Sequence, residues 1–467
     1  MGERPGDEGS VAVEPPREAE VVATPADERG GVAGPLLAWM GLLRGLLSRP
    51  LASYYLLISS AGLLLIVGLV MVFSATSLQA YATHGNAFTS IEKQATSALV
   101  GFVAFWACQR LPARTYRWLA RPGLIAAFVL LIVLDVLALM AEAHILHDPQ
   151  LGPLRVDDLW LYLGPLQLQP SELAKIAFVV WAADVLVRKG ELAGRWKELS
   201  RPLFPVAGLL FLLVGYNDLG TMLCLVVMFV GVLWAAGVRL SVLGGMFAFA
   251  LVGILLLIKM PGVGYRQERL DAFLDPDGHA QGMAYQAMEG LFAISNGGWF
   301  GVGLGRAKLK WGWLPNGHND FIFAVIAEEL GVVGCLVVLG LFAVLAYTGL
   351  RIARRVPGSF RRLVAAGITV WLAGQATINL GGVVGLLPIT GLPLPLISDG
   401  GSALVVTMAM IGVLASFARA EPAAAHALHA RPPGQLGRLL WAPLPPLPRR
   451  ARRPQGSGGG RGREVNG

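Results

Sequence analysis

The sequence predicts an all-α polytopic membrane protein, and two observations carry this prediction. First, 55% of the 467 residues are hydrophobic and only 15% are charged, whereas soluble domains carry about 25% charged residues. Second, apolar runs of about 20 residues recur along the chain, and each is long enough to cross roughly 30 Å of hydrocarbon. No alternating strand pattern accompanies these runs, so helices are the expected spanning elements.

The apolar runs divide into ten candidate transmembrane helices. The fifth and sixth are separated only by Asn217 and Asp218, which requires a tight turn. A large loop, 260–319, separates the seventh from the eighth, and its glycine- and tryptophan-rich sequence favours a functional role over a plain linker. The predicted helices cover roughly 54–74, 94–109, 122–141, 170–187, 202–216, 219–236, 241–259, 320–349, 363–386 and 399–418.

The charges of the loops predict the orientation of these helices. Loops rich in arginine and lysine follow the second, fourth and eighth predicted helices, at 110–121, 188–201 and 350–362. By the positive-inside rule, these loops face the cytoplasm. Ten spans then place both termini in the cytoplasm and the large loop 260–319 on the extracytoplasmic side.

Two polar tails flank the predicted membrane domain, 51–419. Residues 1–50 begin acidic and rich in proline and glycine without a secretory signal, and 420–467 are rich in proline, glycine and arginine, so both are predicted to be disordered cytoplasmic tails. The net charge of +8 indicates contact with anionic lipid rather than nucleic acid. Each of the three cysteines lies inside an apolar run, so no metal cluster is predicted.

Charged residues inside predicted helices are the first functional candidates, because a charge in the bilayer costs about 2.5–3.5 kcal/mol on insertion scales. Glu172 and Lys175 are three residues apart, so they share one helix face and can pair. Two interpretations remain open: an ion pair that positions the helix, or a lysine that binds an anionic group of a substrate. Asp218 is expected to cap a helix, and Gln375 and Asn379 are expected to form interhelical hydrogen bonds.

A second group of candidates surrounds the start of the eighth predicted helix, in the sequence NGHNDFIF. Asp320 lies at the membrane boundary, where apolar walls raise the pKa of a carboxylate and make it a suitable general base. His318 would tune it, and Arg266 and Arg269 of the large loop would grip a diphosphate. The alternatives are a helix-terminal aspartate and ordinary interfacial arginines. The glycines of 297–305 predict tight turns and close backbone approach.

Five stretches of the chain together resemble the SEDS family of FtsW, RodA and SpoVE, which are bacterial peptidoglycan glycosyltransferases. Their order and spacing fit that family over residues 54–419. The stretches are GPLQLQPSELAKIAF, NDLGTM, ERLDAFLDP with the downstream YQAMEGLFAISNGGWFGVGLG, LPNGHNDFIFAVIAEELG, and GLLPITGLPLPLISDGGSAL. The long N-terminal tail and the LPITGLPLPLIS sequence favour the division member, FtsW, over the elongation member, RodA.

The resemblance implies a ten-helix fold and a reaction at the outer face of the bacterial cytoplasmic membrane. Lipid II, a disaccharide-peptide on undecaprenyl diphosphate, is polymerised there into β-1,4-linked glycan. The aspartate of the H-x-D-F-I-F motif, here Asp320, is implied to be the essential residue. The Q-P-S-E-L-x-K motif maps to Glu172 and Lys175. The predicted substrate-binding residues are Glu172, Lys175, Arg266, Arg269, His318 and Gln286.

The chemistry of this transfer requires one carboxylate. A lipid diphosphate is a good leaving group, so it needs stabilisation of charge by arginine, lysine or a divalent cation such as Mg²⁺ or Mn²⁺ rather than a general acid. Glycosidases need two carboxylates because their leaving group must be protonated. Asp320 is therefore predicted to deprotonate the acceptor hydroxyl in a single displacement that inverts the donor carbon.

Two stretches depart from the family pattern. In RVDDLWLYLGP, Arg155 and Val156 stand where Asn-Gly is usual, and Leu159 replaces an expected arginine. Asp399 precedes GGS, where tyrosine or alanine is usual. Both changes could alter substrate contacts, but neither affects Asp320.

Two functions of other classes compete with the enzyme: a lipid II flippase and a non-catalytic scaffold of the divisome. A flippase needs a charged path through the middle of the membrane, whereas the polar motifs of this chain concentrate at the predicted outer face. The enzyme is therefore favoured. The resemblance implies a class B penicillin-binding protein as the transpeptidase partner, together with other divisome membrane proteins.

Overall fold

The structure, a computed structural model, describes residues 2, 41, 45, 47–142, 150–151, 154–157, 159–163, 166–189, 196–258, 269–270, 272–275, 283–308, 314, 317–430, 434 and 443–447. Backbone contacts divide the chain into two units, 1–49 and 50–467. In the first unit, the Ser48 hydroxyl donates a hydrogen bond to the Gly45 carbonyl. All helices and strands considered below belong to the second unit.

The described part of the second unit is mostly helical. Its helices are α1 (Ala52–His84), α2 (Thr89–Arg110), α3 (Ala113–Glu142), α4 (Pro170–Arg188), α5 (Trp196–Asn217), α6 (Leu219–Ala235), α7 (Leu240–Ile258), α8 (Met283–Gly297), α9 (Ile322–Arg355), α10 (Ser359–Val383), α11 (Gly401–Arg419) and α12 (Pro422–Ala430).

Five of these helices, α1, α3, α9, α10 and α11, are long and apolar enough to cross a membrane. Most of α5 and all of α6 are apolar but shorter. Each of the ten predicted spans overlaps a different helix of the structure. The prediction of a mostly helical, multi-pass membrane fold is confirmed, whereas the count of ten spans and the placement of the large loop stay predictions.

Glycines let the helices and loops of this body approach closely. A Cβ atom on Gly412 of α11 would lie 2.4 Å from the Phe105 carbonyl oxygen of α2. A Cβ atom on Gly68 of α1 would lie 2.6 Å from the Leu396 carbonyl oxygen, in the loop that connects α10 to α11. Small residues at such contacts are typical of membrane helix packing. This connection, residues 384–400, is called the 384–400 loop below.

A four-stranded antiparallel sheet precedes α4, with the strands β1 (Gln150–Leu151), β2 (Leu154–Asp157), β3 (Trp160–Leu163) and β4 (Leu166–Leu168) in sequence order. The all-α prediction did not include this small sheet, which lies between the third and fourth predicted spans. Strands of two to four residues are too short for their alternation to be recognised. Val156 and Leu161 pack on Leu134 and Leu137 of α3, which gives the unusual Val156 a structural role.

Helix α9 is broken at Gly331, where φ is +68°. The loop 298–303 supplies the hydrogen bonds that the break removes: Val302 N–H donates to the Glu328 carbonyl, and Val332 N–H donates to the Gly298 carbonyl. A Cβ atom on Gly301 would lie 2.1 Å from the Glu329 carbonyl oxygen. The predicted close backbone approach of the glycine-rich run is confirmed.

Helix α12 covers the first residues of the segment that was predicted to be a disordered tail. Ala424 and Ala425 are buried, as is Glu421 immediately before the helix. The tail prediction for 420–467 is therefore corrected at its start. Most of the remaining tail lies outside the described residues, as does most of 1–50.

Candidate functional site

Asp320 lies in a turn, 317–321, directly before α9. The Asn379 Nδ2 atom on α10 donates hydrogen bonds to the Asp320 carbonyl at 2.8 Å and to the Leu392 carbonyl at 2.7 Å. The Ser398 hydroxyl donates to the Asn319 carbonyl at 2.7 Å. The turn is thus fastened to both α10 and the 384–400 loop, which fixes the main chain that carries the Asp320 carboxyl group.

The Asp320 side chain is only 9% exposed. Burial raises the pKa of Asp320 above its ordinary value, while the positive charges of Arg269 and His318 oppose that increase. A Cβ atom on Gly391 would lie 3.3 Å from Arg269 Nη2 and 3.8 Å from Asp320 Oδ2. The guanidinium group and the carboxylate therefore flank one glycine, and its lack of a side chain leaves room between them.

A narrow cavity of about 10 Å³, room for roughly one water molecule, lies at Asp320. It extends between the turn, the end of α10 and residues 389–391 of the 384–400 loop. Its walls are mainly apolar, with Asp320, Asn379 and Thr390 as the polar side chains. The complete lining is Asp320, Phe321, Asn379, Gly382, Val383, Ile389, Thr390 and Gly391.

Glu172 and Lys175 form a fully buried ion pair on α4. The Lys175 ammonium lies 2.7 Å from Glu172 Oε1 and 3.1 Å from Gln375 Oε1, and 5.0 Å from the centre of the Trp371 ring. The Gln375 Nε2 atom donates to the Pro393 carbonyl of the 384–400 loop at 2.8 Å. These contacts support the interpretation of a positioning ion pair, and the interhelical hydrogen bond predicted for Gln375 is confirmed.

The other predicted site residues have different outcomes. Arg266 lies outside the described residues. His318 is half-buried, and its carbonyl accepts a hydrogen bond from Asp399 N–H at 3.1 Å. Gln286 is buried on α8, the helix whose Gly290 packs against Phe321 beside Asp320. The structure thus brings Asp320, Arg269 and His318 together.

The carboxylates without a predicted substrate role are mostly held by protein groups. Asp218 caps α6 by accepting a hydrogen bond from Thr221 N–H at 2.8 Å, so the capping prediction is confirmed. Asp184 pairs with Arg117 and Arg188. Burial raises the pKa of Asp399, against the opposing charges of His318 and Lys93. The unusual Asp399 is therefore electrostatically linked to the Asp320 turn through His318.

Sequence reasoning missed the connection between Asn379 and Asp320, although it singled out both residues. Their spacing of 59 residues carries no local pattern. It also missed the buried Glu328 and Glu329 of α9. The Glu328 carboxylate accepts hydrogen bonds from Asn296 Nδ2 at 3.1 Å and from Lys308 N–H at 3.0 Å. Their position in an apolar helix was the available signal.

Comparisons with known proteins give concordant matches over most of the chain. The profile of the FtsW/RodA/SpoVE family, described as "Cell cycle protein", matches residues 54–422. A probable peptidoglycan glycosyltransferase FtsW of Mycobacterium tuberculosis is 41% identical over 409 residues, which cover 87% of this chain and 74% of that protein. The protein of the same name from Aromatoleum aromaticum is 38% identical over 77% of this chain and 86% of its own length.

Two solved structures share the fold. A chain from "Structural coordination of polymerization and crosslinking by a peptidoglycan synthase complex" superposes with a TM-score of 0.59 and 27% identity, over 78% of this chain and 96% of that chain. The rod shape determining protein RodA of Thermus thermophilus superposes with a TM-score of 0.51 and 27% identity, over the same shares of the two chains.

Proposed function

The chain belongs to the FtsW/RodA/SpoVE family, and on this premise we propose that it is a peptidoglycan glycosyltransferase that polymerises lipid II into β-1,4-linked glycan. The names of its relatives support this activity. The observation that carries the proposal is the Asp320 site: a buried carboxylate at a cavity, beside an arginine, on a main chain that is fixed by hydrogen bonds.

In the proposed reaction, Asp320 accepts the proton of the acceptor 4-hydroxyl group. The resulting oxygen nucleophile attacks the anomeric carbon of the donor sugar, and the bond from that carbon to the diphosphate breaks. The configuration at the donor carbon inverts because there is one displacement. The raised pKa of Asp320 strengthens it as a base, because a general base works best with a pKa near the working pH.

The leaving diphosphate needs positive charge, and Arg269 is the described residue best placed to supply it. Its guanidinium group and the Asp320 carboxylate both lie close to Gly391, and arginine binds phosphate oxygens in a bidentate manner. Arg266 is proposed to assist, as would Mg²⁺ or Mn²⁺ carried by the diphosphate itself. Within the described ranges, no group of three or more His, Cys, Asp or Glu side chains forms a metal site.

The remaining predicted residues take supporting roles in this proposal. The ammonium of Lys175 and the carboxylate of Glu172 stabilise Gln375, which holds the 384–400 loop, so the pair acts by positioning rather than by touching lipid II. His318 adjusts the charge at Asp320 and contacts the substrate from the turn. Gln286 contacts the substrate from α8.

The topology and the partners follow from the same proposal. In this proposal, ten spans place both termini in the cytoplasm and the Asp320 site at the outer face of the cytoplasmic membrane. The names of the relatives favour division over elongation. A class B penicillin-binding protein is the proposed partner, and the similarity to a chain of a peptidoglycan synthase complex supports it; other divisome membrane proteins are proposed as further partners.

The direct test is glycan-chain formation from purified lipid II by the protein together with its transpeptidase partner. We expect long polymer from the parent protein and none from Asp320→Asn. Asp218→Asn is the matched control, because it makes the same chemical change at a carboxylate that caps a helix. Polymer from Asp320→Asn at the parental rate would contradict the mechanism.

A further inference from the structure

The side-chain amide of Asn379 is held in one orientation. Its Nδ2 atom donates to two main-chain carbonyls, those of Asp320 and Leu392. An amide nitrogen carries two hydrogens, so both are used. Rotating the amide by 180° would place Oδ1 against both carbonyl oxygens, which would repel it. Oδ1 therefore has a fixed position beside Asp320.

This fixed oxygen is buried, yet it accepts no hydrogen bond from any residue that the structure describes. The Asn379 side chain is 4% exposed. A buried polar atom without a partner is costly, so native proteins rarely keep one unless it meets a ligand or water. The neighbouring amide on α10 is different: the Gln375 Oε1 atom accepts hydrogen bonds from Lys175 Nζ and Trp371 Nε1.

Asn379 also lines the cavity that opens at the Asp320 carboxylate. Two residues that carry hydrogen-bond acceptors, one charged and one neutral, thus line the same small space. Gly391, with a φ of +73°, belongs to the same lining, and a side chain there would meet Arg269 and Asp320. A hydroxyl-sized donor in this space would lie next to both Asp320 and Asn379.

We propose that Asn379 Oδ1 binds the sugar that reacts at Asp320, by accepting a hydrogen bond from a neutral donor of that sugar. The donor is a second hydroxyl or an acetamido N–H group next to the hydroxyl that Asp320 deprotonates. A diphosphate does not fit this position, because its oxygens are acceptors and a carbonyl oxygen repels them. This inference rests on the proposed function and names a contact of the acceptor sugar.

The test measures binding of fluorescent lipid II to the full-length protein in an Asp320→Ala background, which cannot turn the substrate over. Asn379→Leu removes the acceptor oxygen and the two hydrogen bonds donated by Nδ2, which are called the tethers below. We expect about tenfold weaker binding, which corresponds to the loss of one hydrogen bond. Undecaprenyl diphosphate has the same lipid and diphosphate but no sugar, and we expect Asn379→Leu to bind it within about threefold of the background. Thr377→Val, on the exposed side of the same helix, is the matched control.

The outcomes separate the acceptor from the tethers. Equal weakening of lipid II and undecaprenyl diphosphate binding in Asn379→Leu would overturn the inference, because loss of the tethers alone would then explain it. Unchanged lipid II binding in Asn379→Leu would overturn it as well. If Asn379→Leu fails to fold, Asn379→Ala is measured with the same two ligands; selective weakening of lipid II binding is then the supporting result, and equal or no weakening is the contradicting one. Failure of the proposed function has a different signature, namely no polymer from the parent protein and no lipid II binding by the background.

Discussion

Glu172 and Asp320 are both buried carboxylates of one helical body, but their charges are met in different ways. Glu172 is 2% exposed and is paired with Lys175, whose ammonium also lies near Gln375 and Trp371. Asp320 lines a cavity, and its carboxylate and the Arg269 guanidinium both lie close to Gly391. Glu172 thus forms a direct buried ion pair, whereas the charge of Asp320 is only partly offset by Arg269 and His318.

On the proposed function, this difference separates a structural charge, that of the Glu172–Lys175 pair, from a catalytic one, that of Asp320. A buried charge with its partners in place resists change, because removing either partner strands the other. A buried carboxylate at a cavity keeps a raised pKa and can exchange a proton with a bound substrate. The two groups are linked through the 384–400 loop, since Gln375 and Asn379 hold adjacent carbonyls of that loop.

The largest effect on stability is expected from breaking the Glu172–Lys175 ion pair. Lys175→Met leaves Glu172 buried without its cation, and we expect the free energy of unfolding to fall by about 3–5 kcal/mol. The double variant Glu172→Gln/Lys175→Met should regain most of that loss, because no charge is then stranded. Thermal unfolding of the purified variants measures both. A single variant as stable as the parent would show that the pair is not structural.

The next effect concerns pH and distinguishes the Asp320 carboxylate from the Glu172–Lys175 ion pair. The pKa of Asp320 is raised. As the pH is lowered, polymerisation should therefore be lost at a pH higher than about 3.9, the ordinary pKa of an aspartate. Arg269→Gln removes a charge that lowers this pKa, so the acid limb of the rate profile should move to higher pH. A pH–rate profile that is unchanged by Arg269→Gln would show that the arginine does not influence the pKa of Asp320.

The contribution of Asp320 to the stability of the fold should decrease as pH rises, whereas polymerisation should increase. A carboxyl group with a raised folded-state pKa adds stability below its unfolded-state pKa, and that stability is lost as pH rises through the folded-state pKa. Asp320→Asn should therefore unfold at a higher temperature than the parent near pH 8, and the gap should close in mild acid. Asp218→Asn should show no such trend if the effect belongs to the cavity.

The smallest effect is expected at the capping aspartate. Asp218→Ala removes the hydrogen bond to Thr221 N–H and should cost about 1 kcal/mol of unfolding free energy, as is usual for an N-cap. The rate of polymerisation per folded molecule should stay at the parental level. A large loss of activity at unchanged stability would place Asp218 in the site and weaken the contrast with Asp320.

Local patterns in the sequence predict much of this fold and part of this site. The spacing of three residues predicts the Glu172–Lys175 pair. The position of Asp218 directly before the sixth predicted helix predicts its capping role. The short strands and the break at Gly331 have no comparable signal. The strands are too short to show an alternating pattern, and a single glycine inside an apolar run is compatible with a continuous helix. The contact between Asn379 and Asp320 depends on the path of the 384–400 loop, which tertiary packing sets.

The most direct measurement takes polymer formation and thermal unfolding from one preparation of Asp320→Asn. Arg269 and His318 offset the burial of the Asp320 charge only in part, so removing that charge should abolish polymerisation and leave the unfolding temperature equal to or higher than that of the parent. Loss of a general base lowers rates by about 10²–10⁴-fold, so the polymer should fall below detection. Parental polymer yield, or a loss of polymer that merely follows a lower unfolding temperature, would contradict the account.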